Sequence, residues 1–468
     1  MHTNALKILR ERGFVEWSSH NEELEEHFMK DMVTGYIGFD PSADSLHVGN
    51  LVAIMGLAWL QRLGHRPIAI AGGGTGRIGD PSGKSAERNL LSEEQILHNV
   101  SCIAEQLKHF LNFESGENSA LLVNNNDWLK NENYIEFLRD TGKYFSVSFL
   151  VNREYVRSRV LDPDKSITYT ELSYILLQAF DYNHLYNEYG CTLQMGGNDQ
   201  QVNIIAGMDL ARKKSGGQCY GITFPLLLNA QGQKFGKSES GAVYLSPKRT
   251  SVYKFYQFWI NVDDKDLEKL YKLFTFRELD EIKALLEEHA KAPHLRKAQK
   301  ELAWEMTCRV HGEEAAKRVL DASAVLFGET NIKDAPADVL ETLAAEIPCA
   351  EADLAETNGV TDLLVLSGAC DSKGNAKKKI KEGGAYLNGE KIAWSPKRTC
   401  SRAAISSSTL ERKTSACSSS NRREKSKAET ERRREAIMCA PLRLYLRWKH
   451  LNFDHGAFTS GPLALECS

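Results

Sequence analysis

The sequence predicts an α/β protein: a Rossmann-like domain built on a parallel sheet, then an all-helical segment, then a small α+β module. Three observations carry this reading. From Tyr36 to about Ala230 short β-like runs alternate with longer helical ones, the pattern of parallel strands joined by crossover helices. From about Thr250 the strand signals stop and helical periodicity takes over. Residues 361–395 form a compact basic stretch in which a lysine-rich helix pattern runs through Gly383-Gly384 into the strand-like AYLNGEKI. A chain of 468 residues is too long for one hydrophobic core, so such a division is expected on size alone.

Residues 1–30 read as a helical lead-in, LKILRERG and EELEEHFMKDM. YIGFD is the first strand, and LVAIMGLAWLQRLG the helix after it, with Gly64 placed to stop it at the position past the C-cap. The runs RPIAIA, ALLVNN, CTLQMGG and GITFPLLL supply further strands. YKFYQFWI, DLEKLYKLF, LDEIKALLEEHA, RKAQKELAWEMTCRVHG and EEAAKRVLDASAVLFG are amphipathic helices. The expected division is therefore 1–245 for the Rossmann-like domain, 246–330 for the helical domain, 331–358 for a proline-containing linker and 359–396 for the basic module. Residues 397–468 are rich in Ser, Arg and Lys and poor in apolar side chains. Such a tail cannot bury enough surface to offset its ordering entropy, and it is expected to be disordered apart from one short helix at LRLYLRWKHLNF.

Composition narrows the function classes. Charged residues make up 26% and hydrophobic ones 42%, ordinary for a soluble globular protein. No apolar run approaches the ~20 residues that cross a bilayer, and MHTNALKILRERG has no apolar signal core. The ten cysteines are scattered, with no CxxC pair. Free thiols, a reducing cytoplasmic location, no membrane partner and no protein-held metal are the expectations. A net charge of −3 does not mark a nucleic-acid binder, so any such contact must come from local basic patches.

Two short segments carry the chemistry. Ser42-Ala43-Asp44-Ser45-Leu46-His47-Val48-Gly49-Asn50 follows the first strand and opens the first helix, where unpaired N–H groups and the positive dipole end bind anions. Gly49 removes a Cβ, so a flat ring can approach the backbone, while His47 and Asn50 bring polar side chains to the mouth of the sheet. Lys234-Phe235-Gly236-Lys237-Ser238 follows the last strand, and two lysines on a loop can close over a polyphosphate. Either segment alone is as compatible with an ordinary helix start or a solvated loop; the pair, in this order, is informative. Gly74-Thr75-Gly76-Arg77-Ile78-Gly79 also fits G-x-G-x-x-G, the dinucleotide fingerprint, but it follows the second strand and DPSGK places a proline where the helix should start.

H-x-G-N early and K-F-G-K-S late resemble the two signatures of class I aminoacyl-tRNA synthetases. The strings YIGFDPSADSLHVGN, GGGTGRIGDPSGKSAER, TELSYILLQAFD, LQMGGNDQ and KFGKSESGAVYL resemble the bacterial-type tyrosyl-tRNA synthetase family from about residue 30 to about 395. That resemblance implies activation of tyrosine with ATP and Mg2+, transfer to tRNA(Tyr), a homodimer with Phe149 and Tyr169 near its contact, an anticodon-side helical domain and an S4-like RNA-binding module cut short near Trp394. It implies a tyrosine pocket of Tyr36, Asp80, Tyr174, Gln178, Asp181 and Gln194. Tyr174, Gln178 and Asp181 lie at i, i+4 and i+7, on one helix face. It implies nucleotide contacts from Asp40, His47, Gly49, Asn50, Gly197, Asp199, Gln200 and Lys237. Catalytic roles fall to Ser42, His47, Asn50, Lys84, Arg88, Lys234, Lys237 and Ser238, and RNA contacts to Lys377, Lys378, Lys379 and Lys381. Two departures stand out: Asn50 replaces a second histidine, and Gln201-Val202-Asn203 replaces the familiar Trp-Gly-Asn beneath the ribose site. Two rivals stay open at this point, another class I adenylating enzyme such as a tryptophanyl synthetase or nucleotidylyltransferase, and an RNA-binding splicing or scaffold protein derived from a synthetase.

Overall fold

The computed structural model describes residues 3–81, 91–162, 167–238, 241–327, 329–346, 359–387 and 390–392. The expected tail, 397–468, lies outside them, as do Lys84 and Arg88. The chain forms two compact units, 1–316 and 317–468.

The first unit is built on six strands, β1 (Trp17–Ser18), β2 (Thr34–Phe39), β3 (Arg66–Ala71), β4 (Leu121–Asn124), β5 (Cys191–Gly197) and β6 (Tyr220–Phe224). Their order in the sheet is β1-β6-β5-β2-β3-β4. All neighbours are parallel except β1, which pairs antiparallel with β6. Two residues of edge strand show no periodicity, which is why β1 is absent from the sequence reading. The other five are the runs the alternation picked out. A separate two-stranded ribbon, β7 (Lys237–Ser238) with β8 (Gly241–Ala242), follows the sheet in the chain.

Four helices make the crossovers: Leu51–Arg62, Glu93–Leu107, Tyr169–Tyr189 and Gln201–Ser215. Leu51–Arg62 is buried along most of its length, as its near-continuous apolar sequence requires, and Gly64 follows it at φ +91°. Tyr169–Tyr189 starts with a capping box, Thr168 Oγ1 accepting from Glu171 N while the Glu171 carboxylate accepts from Thr168 N, and ends at Gly190 in the left-handed region. The chain order runs outward from central β2 through β3 to β4, then returns to β5 and β6 on the other side. The reversal places a crevice between the carboxyl ends of β2 and β5, where open α/β sheets bind ligands.

Helices Val252–Ile260, Leu267–Phe274, Leu279–Lys291 and Lys297–His311 come next, and Glu313–Phe327 begins after them. Arg12 secures the lead-in to this region, its guanidinium 3.7 Å over the Trp59 ring and donating to the carbonyls of Lys272 and Arg277. The Gly74–Gly79 stretch winds into one 3₁₀ turn, Thr75–Arg77, and Ile78–Pro81 after it are not helical, so this G-x-G-x-x-G does not open a dinucleotide-binding helix.

In the second unit the stretch read as linker, 331–358, carries a helix, Ala337–Glu346. Val339 and Leu343 bury one face of it against Ala322 and Val325. A single buried i, i+4 pair in a stretch that carries a proline on either side of it is too short a pattern to announce that helix. Helices Val360–Leu366 and Lys373–Glu382 and the hairpin β9 (Tyr386–Leu387) and β10 (Glu390–Lys391) enclose a small core around Val360, Leu364, Ala376 and Ile380.

Candidate active site

At the centre of the crevice is Asp181, on the inner face of helix Tyr169–Tyr189 and only 3% exposed. Both of its oxygens accept hydrogen bonds. Trp128 Nε1 donates to Oδ1 at 2.7 Å and Asn125 Nδ2 to Oδ2 at 2.9 Å. Burial still pushes the carboxyl up to about 7, against the pull of those two bonds. Each carboxylate oxygen keeps acceptor capacity for one more donor.

Two unsatisfied groups lie on the adjacent strands β2 and β5. The register pairs Tyr36 on β2 with Gln194 on β5, so both side chains rise from the same face of adjacent strands. Tyr36 is 1% and Gln194 2% exposed, and among the described residues neither the Tyr36 hydroxyl nor Gln194 Oε1 has a hydrogen-bond partner. Burial, then the nearby charge of Asp181, holds the Tyr36 phenol well above its ordinary pKa, so it stays a neutral donor. Unpaired buried polar atoms are costly, and two of them beside a buried carboxylate mark a site shaped for a polar ligand group.

A chain of amides continues from the pocket. Gln200 Nε2 donates to Asp80 Oδ2 at 2.7 Å and to Asp199 Oδ2 at 3.0 Å, while its carbonyl oxygen accepts from Gln178 Nε2 at 3.1 Å. Asn203, fully buried, donates to Gln178 Oε1 at 3.0 Å and Gln200 Oε1 at 3.2 Å. The Gln-Val-Asn departure therefore keeps a working amide under this network. Tyr174 is buried on the same helix face as Gln178 and Asp181. Asp80 reaches Asp181 through one relay: the turn from Thr75 to Asp80 is tied by Asn125, whose Oδ1 accepts from Gly74 N at 2.8 Å and whose Nδ2 donates to Thr75 Oγ1 at 2.9 Å.

The His47 turn and the Lys234–Lys237 loop meet directly. Val48 N donates to Val243 O at 2.8 Å, and Val243 N donates to Gly236 O at 2.9 Å. Gly236 packs so closely on the His47 turn that a Cβ there would lie 2.8 Å from Gly49 N. Phe235 anchors the loop, its ring 5.1 Å from Phe258 and 5.7 Å from Trp259, and leaves Lys234 and Lys237 exposed on either side. Asn50 Oδ1 accepts from His47 N at 3.0 Å, so the residue that replaces a histidine caps the turn and keeps its NH2 as a donor. Burial, and to a lesser degree Lys237, keeps His47 below its ordinary pKa. Helix Glu93–Leu107 braces the Ser42–Asn50 segment from behind: Asn99 Nδ2 donates to Pro41 O and Gln106 Oε1 accepts from Leu46 N, both at 2.9 Å. Asp40, at the end of β2, and Gly197 and Asp199, at the end of β5, complete the rim.

The structure thus gathers Tyr36, Asp80, Tyr174, Gln178, Asp181 and Gln194 around one pocket and His47, Gly49, Asn50, Lys234 and Lys237 around one cleft mouth. The backbone of Ser238 continues β7 away from that mouth into its pairing with β8. Asn125 and Trp128 escaped the sequence reading, which noted Asn203 only for packing beneath the ribose site. Asn125 and Trp128 stand just past the carboxyl end of β4, and that position in a parallel sheet is the signal that points to them.

A parallel sheet whose switch point is bordered by His-x-Gly-Asn and Lys-Phe-Gly-Lys-Ser is the arrangement of a class I aminoacyl-tRNA synthetase. Residues 29–328 match the model of the tRNA synthetases class I (W and Y), and the chain belongs to that family. The tyrosine–tRNA ligase of Anaeromyxobacter dehalogenans is 49% identical over 388 residues, covering 82% of this chain and 91% of that protein. The enzyme of the same name from Roseiflexus castenholzii is 48% identical over 391 residues, with the same coverage of 82% and 91%. A C-terminally truncated mitochondrial tyrosyl-tRNA synthetase of Aspergillus nidulans has a solved structure that superposes with a TM-score of 0.62 at 29% identity, over 68% of this chain and 92% of that one.

Proposed function

We propose that this chain activates tyrosine with ATP, forming tyrosyl-adenylate and pyrophosphate, and then transfers the tyrosyl group to the 3′ end of tRNA(Tyr). The observation that carries the choice of amino acid is the pocket floor: the buried acceptor Asp181 beside the unpartnered hydroxyl of Tyr36. A phenol is both donor and acceptor and satisfies both at once. An indole N–H would leave the Tyr36 hydroxyl unpaired. Phenylalanine would leave both unpaired, and a site built around a hydroxyl rejects the analogue that lacks it, tyrosyl-tRNA synthetase being the worked case of that rule.

The tyrosine ammonium would sit against Asp80, Tyr174 and Gln178, with Gln194 closing the wall. Its carboxylate is ionised at neutral pH and needs no general base. One carboxylate oxygen attacks the α-phosphorus of ATP as the bond to the β-phosphate oxygen breaks, and the electron pair leaves with pyrophosphate. Ser42, His47 and Asn50 would hold the polyphosphate from one side and Lys234, Lys237 and Ser238 from the other, with Lys84 and Arg88 gripping pyrophosphate. Asp40, Gly49, Gly197, Asp199 and Gln200 would seat adenosine. Mg2+ enters on the phosphates as part of the substrate. The tRNA 3′-terminal hydroxyl then attacks the adenylate carbonyl and AMP leaves.

Lys377, Lys378, Lys379 and Lys381, on helix Lys373–Glu382, would meet the RNA backbone as an S4-like module. Tyr134, Ile135, Val147, Val160, Leu161 and Tyr169 are large apolar side chains left exposed between residues 134 and 169, which supports a homodimer through this region. Sedimentation of a monomer at micromolar concentration would overturn the dimer. No helix among the described residues is long and apolar enough to cross a membrane; we assign a cytoplasmic site of action. ATP–pyrophosphate exchange with tyrosine and with phenylalanine, on the wild type and on Asp181→Ala, tests the central assignment. Tyrosine-dependent exchange lost in the variant supports it, and undiminished exchange removes it.

A further inference from the structure

Asp181 is oriented by Trp128, and the geometry around Trp128 assigns a role to a residue one helical turn away. The indole is held at its edge by the 2.7 Å bond to Asp181 Oδ1. Its face is covered by the imidazole of His184, with centroids 4.3 Å apart and planes 21° apart. Beyond this pair lies an open cleft of about 510 Å3, bordered by both rings and by Val100, Leu122 and Tyr189. The imidazole covers one face of the indole, and the cleft beside the pair leaves room for the indole to tilt once that face is uncovered. His184 and Asp181 share helix Tyr169–Tyr189 at i and i+3, so one rigid element fixes both the acceptor and the ring that holds its donor in plane.

We propose that His184 is a positioning residue for tyrosine selection, acting through Trp128 on the Asp181 carboxylate. This rests on the tyrosine reading above. With His184 truncated, the indole is free to tilt into the cleft, the N–H to Asp181 lengthens, and the carboxylate loses the orientation in which it meets the phenol. None of the residues proposed to hold ATP contacts this ring pair, so the effect should be confined to the amino acid.

The test is ATP–pyrophosphate exchange on wild type, His184→Ala and His184→Phe, with tyrosine and phenylalanine as substrates. His184→Ala should raise KM for tyrosine roughly three- to tenfold, the worth of one stacked ring pair. It should leave kcat within about twofold and KM for ATP unchanged, and it should lower the tyrosine-to-phenylalanine kcat/KM ratio. His184→Phe, which keeps the stack without the nitrogens, should restore both values. A second readout is independent of activity: acrylamide quenching of Trp128 emission, taken as the difference between proteins with and without Trp128→Phe. Quenching should rise in His184→Ala and return to the wild-type value in His184→Phe. Unchanged tyrosine KM and unchanged quenching in His184→Ala would overturn the proposal, as would a His184→Phe protein as impaired as the alanine variant. Absence of tyrosine exchange in the wild type would remove the substrate reading and the selection role with it, while quenching would still report separately whether His184 holds the indole.

Discussion

Tyr36 is a buried phenol whose hydroxyl has no partner, and that makes stability and function pull in opposite directions at one atom. Tyr36→Phe removes an unsatisfied polar group from the free protein, so its melting temperature should equal or exceed that of the wild type. The same change removes a donor to the ligand and should raise KM for tyrosine several-fold, the net worth of about one hydrogen bond. A variant that melts earlier would show that the hydroxyl is satisfied in the free state. Asp181 supplies the pH dependence. Its folded-state pKa is about 7, above the 3.8 of the unfolded carboxyl, so folding takes up a proton between those values. The stability this contributes is complete below about pH 4 and lost as pH rises through 7. Asp181→Asn cannot titrate. Between pH 5 and 8 the wild type should therefore lose roughly 2–3 kcal/mol relative to that variant, read from denaturant midpoints. A constant difference would place Asp181 at an ordinary carboxyl pKa. Asp181 was legible in the sequence because it belongs to an i, i+4, i+7 polar stripe in an apolar helix, and Tyr36 through the family resemblance that YIGFD carries. Asn125 and Trp128, which hold Asp181, lie in NNNDWLK, where neither a period of two nor of 3.6 separates function from loop.

At the scale of elements, the site depends on two loops that are far apart in sequence and share one backbone seam. The sequence showed both loops and their chemistry but not the seam, because Gly236 reads as a generic loop glycine until its neighbour is known. Its φ is +86°, and an added Cβ would meet Gly49 N at 2.8 Å, backbone against backbone. Gly232, in the same loop at φ +76°, has open space around it. The pair separates strain from steric collision. Gly232→Ala costs only its unfavourable φ, whereas Gly236→Ala must also push the lysine loop off the His47 turn. Misplacing catalytic groups by about 1 Å costs on the order of 10²-fold in rate. Exchange kcat should therefore fall far more in Gly236→Ala than in Gly232→Ala, and equal losses would show that the seam has no catalytic role. β2, β3, β5 and β6 were legible for the complementary reason: strands buried on both faces must be apolar nearly throughout, and such runs survive without any partner in view, while β4, half-exposed at the edge, showed only by its short apolar run. β1 and helix Ala337–Glu346 lack that property, one through brevity and the other because a single apolar pair supplies its buried face.

For the whole molecule, the side chains proposed to bind tyrosine and ATP all belong to the first unit, and the lysines proposed to bind RNA all belong to the second. Activation and charging should therefore be separable by mutation. On helix Lys373–Glu382, Ala376 and Ile380 face the small core, whereas Lys377, Lys378 and Lys381 are exposed. Replacing Lys377, Lys378, Lys379 and Lys381 by Ala should leave tyrosine-dependent exchange within about twofold, because exchange needs only tyrosine, ATP and pyrophosphate, whose proposed ligands are untouched. Charging of tRNA should weaken instead, through KM for tRNA. Each lysine–phosphate pairing removed should also flatten the plot of log affinity against log salt by about one unit. The salt slope is the decisive quantity, since a general loss of folding lowers affinity without flattening it. If the four-lysine variant charges tRNA with unaltered KM and unaltered slope, the basic helix is a solvated face, and recognition of the RNA must be carried by the first unit.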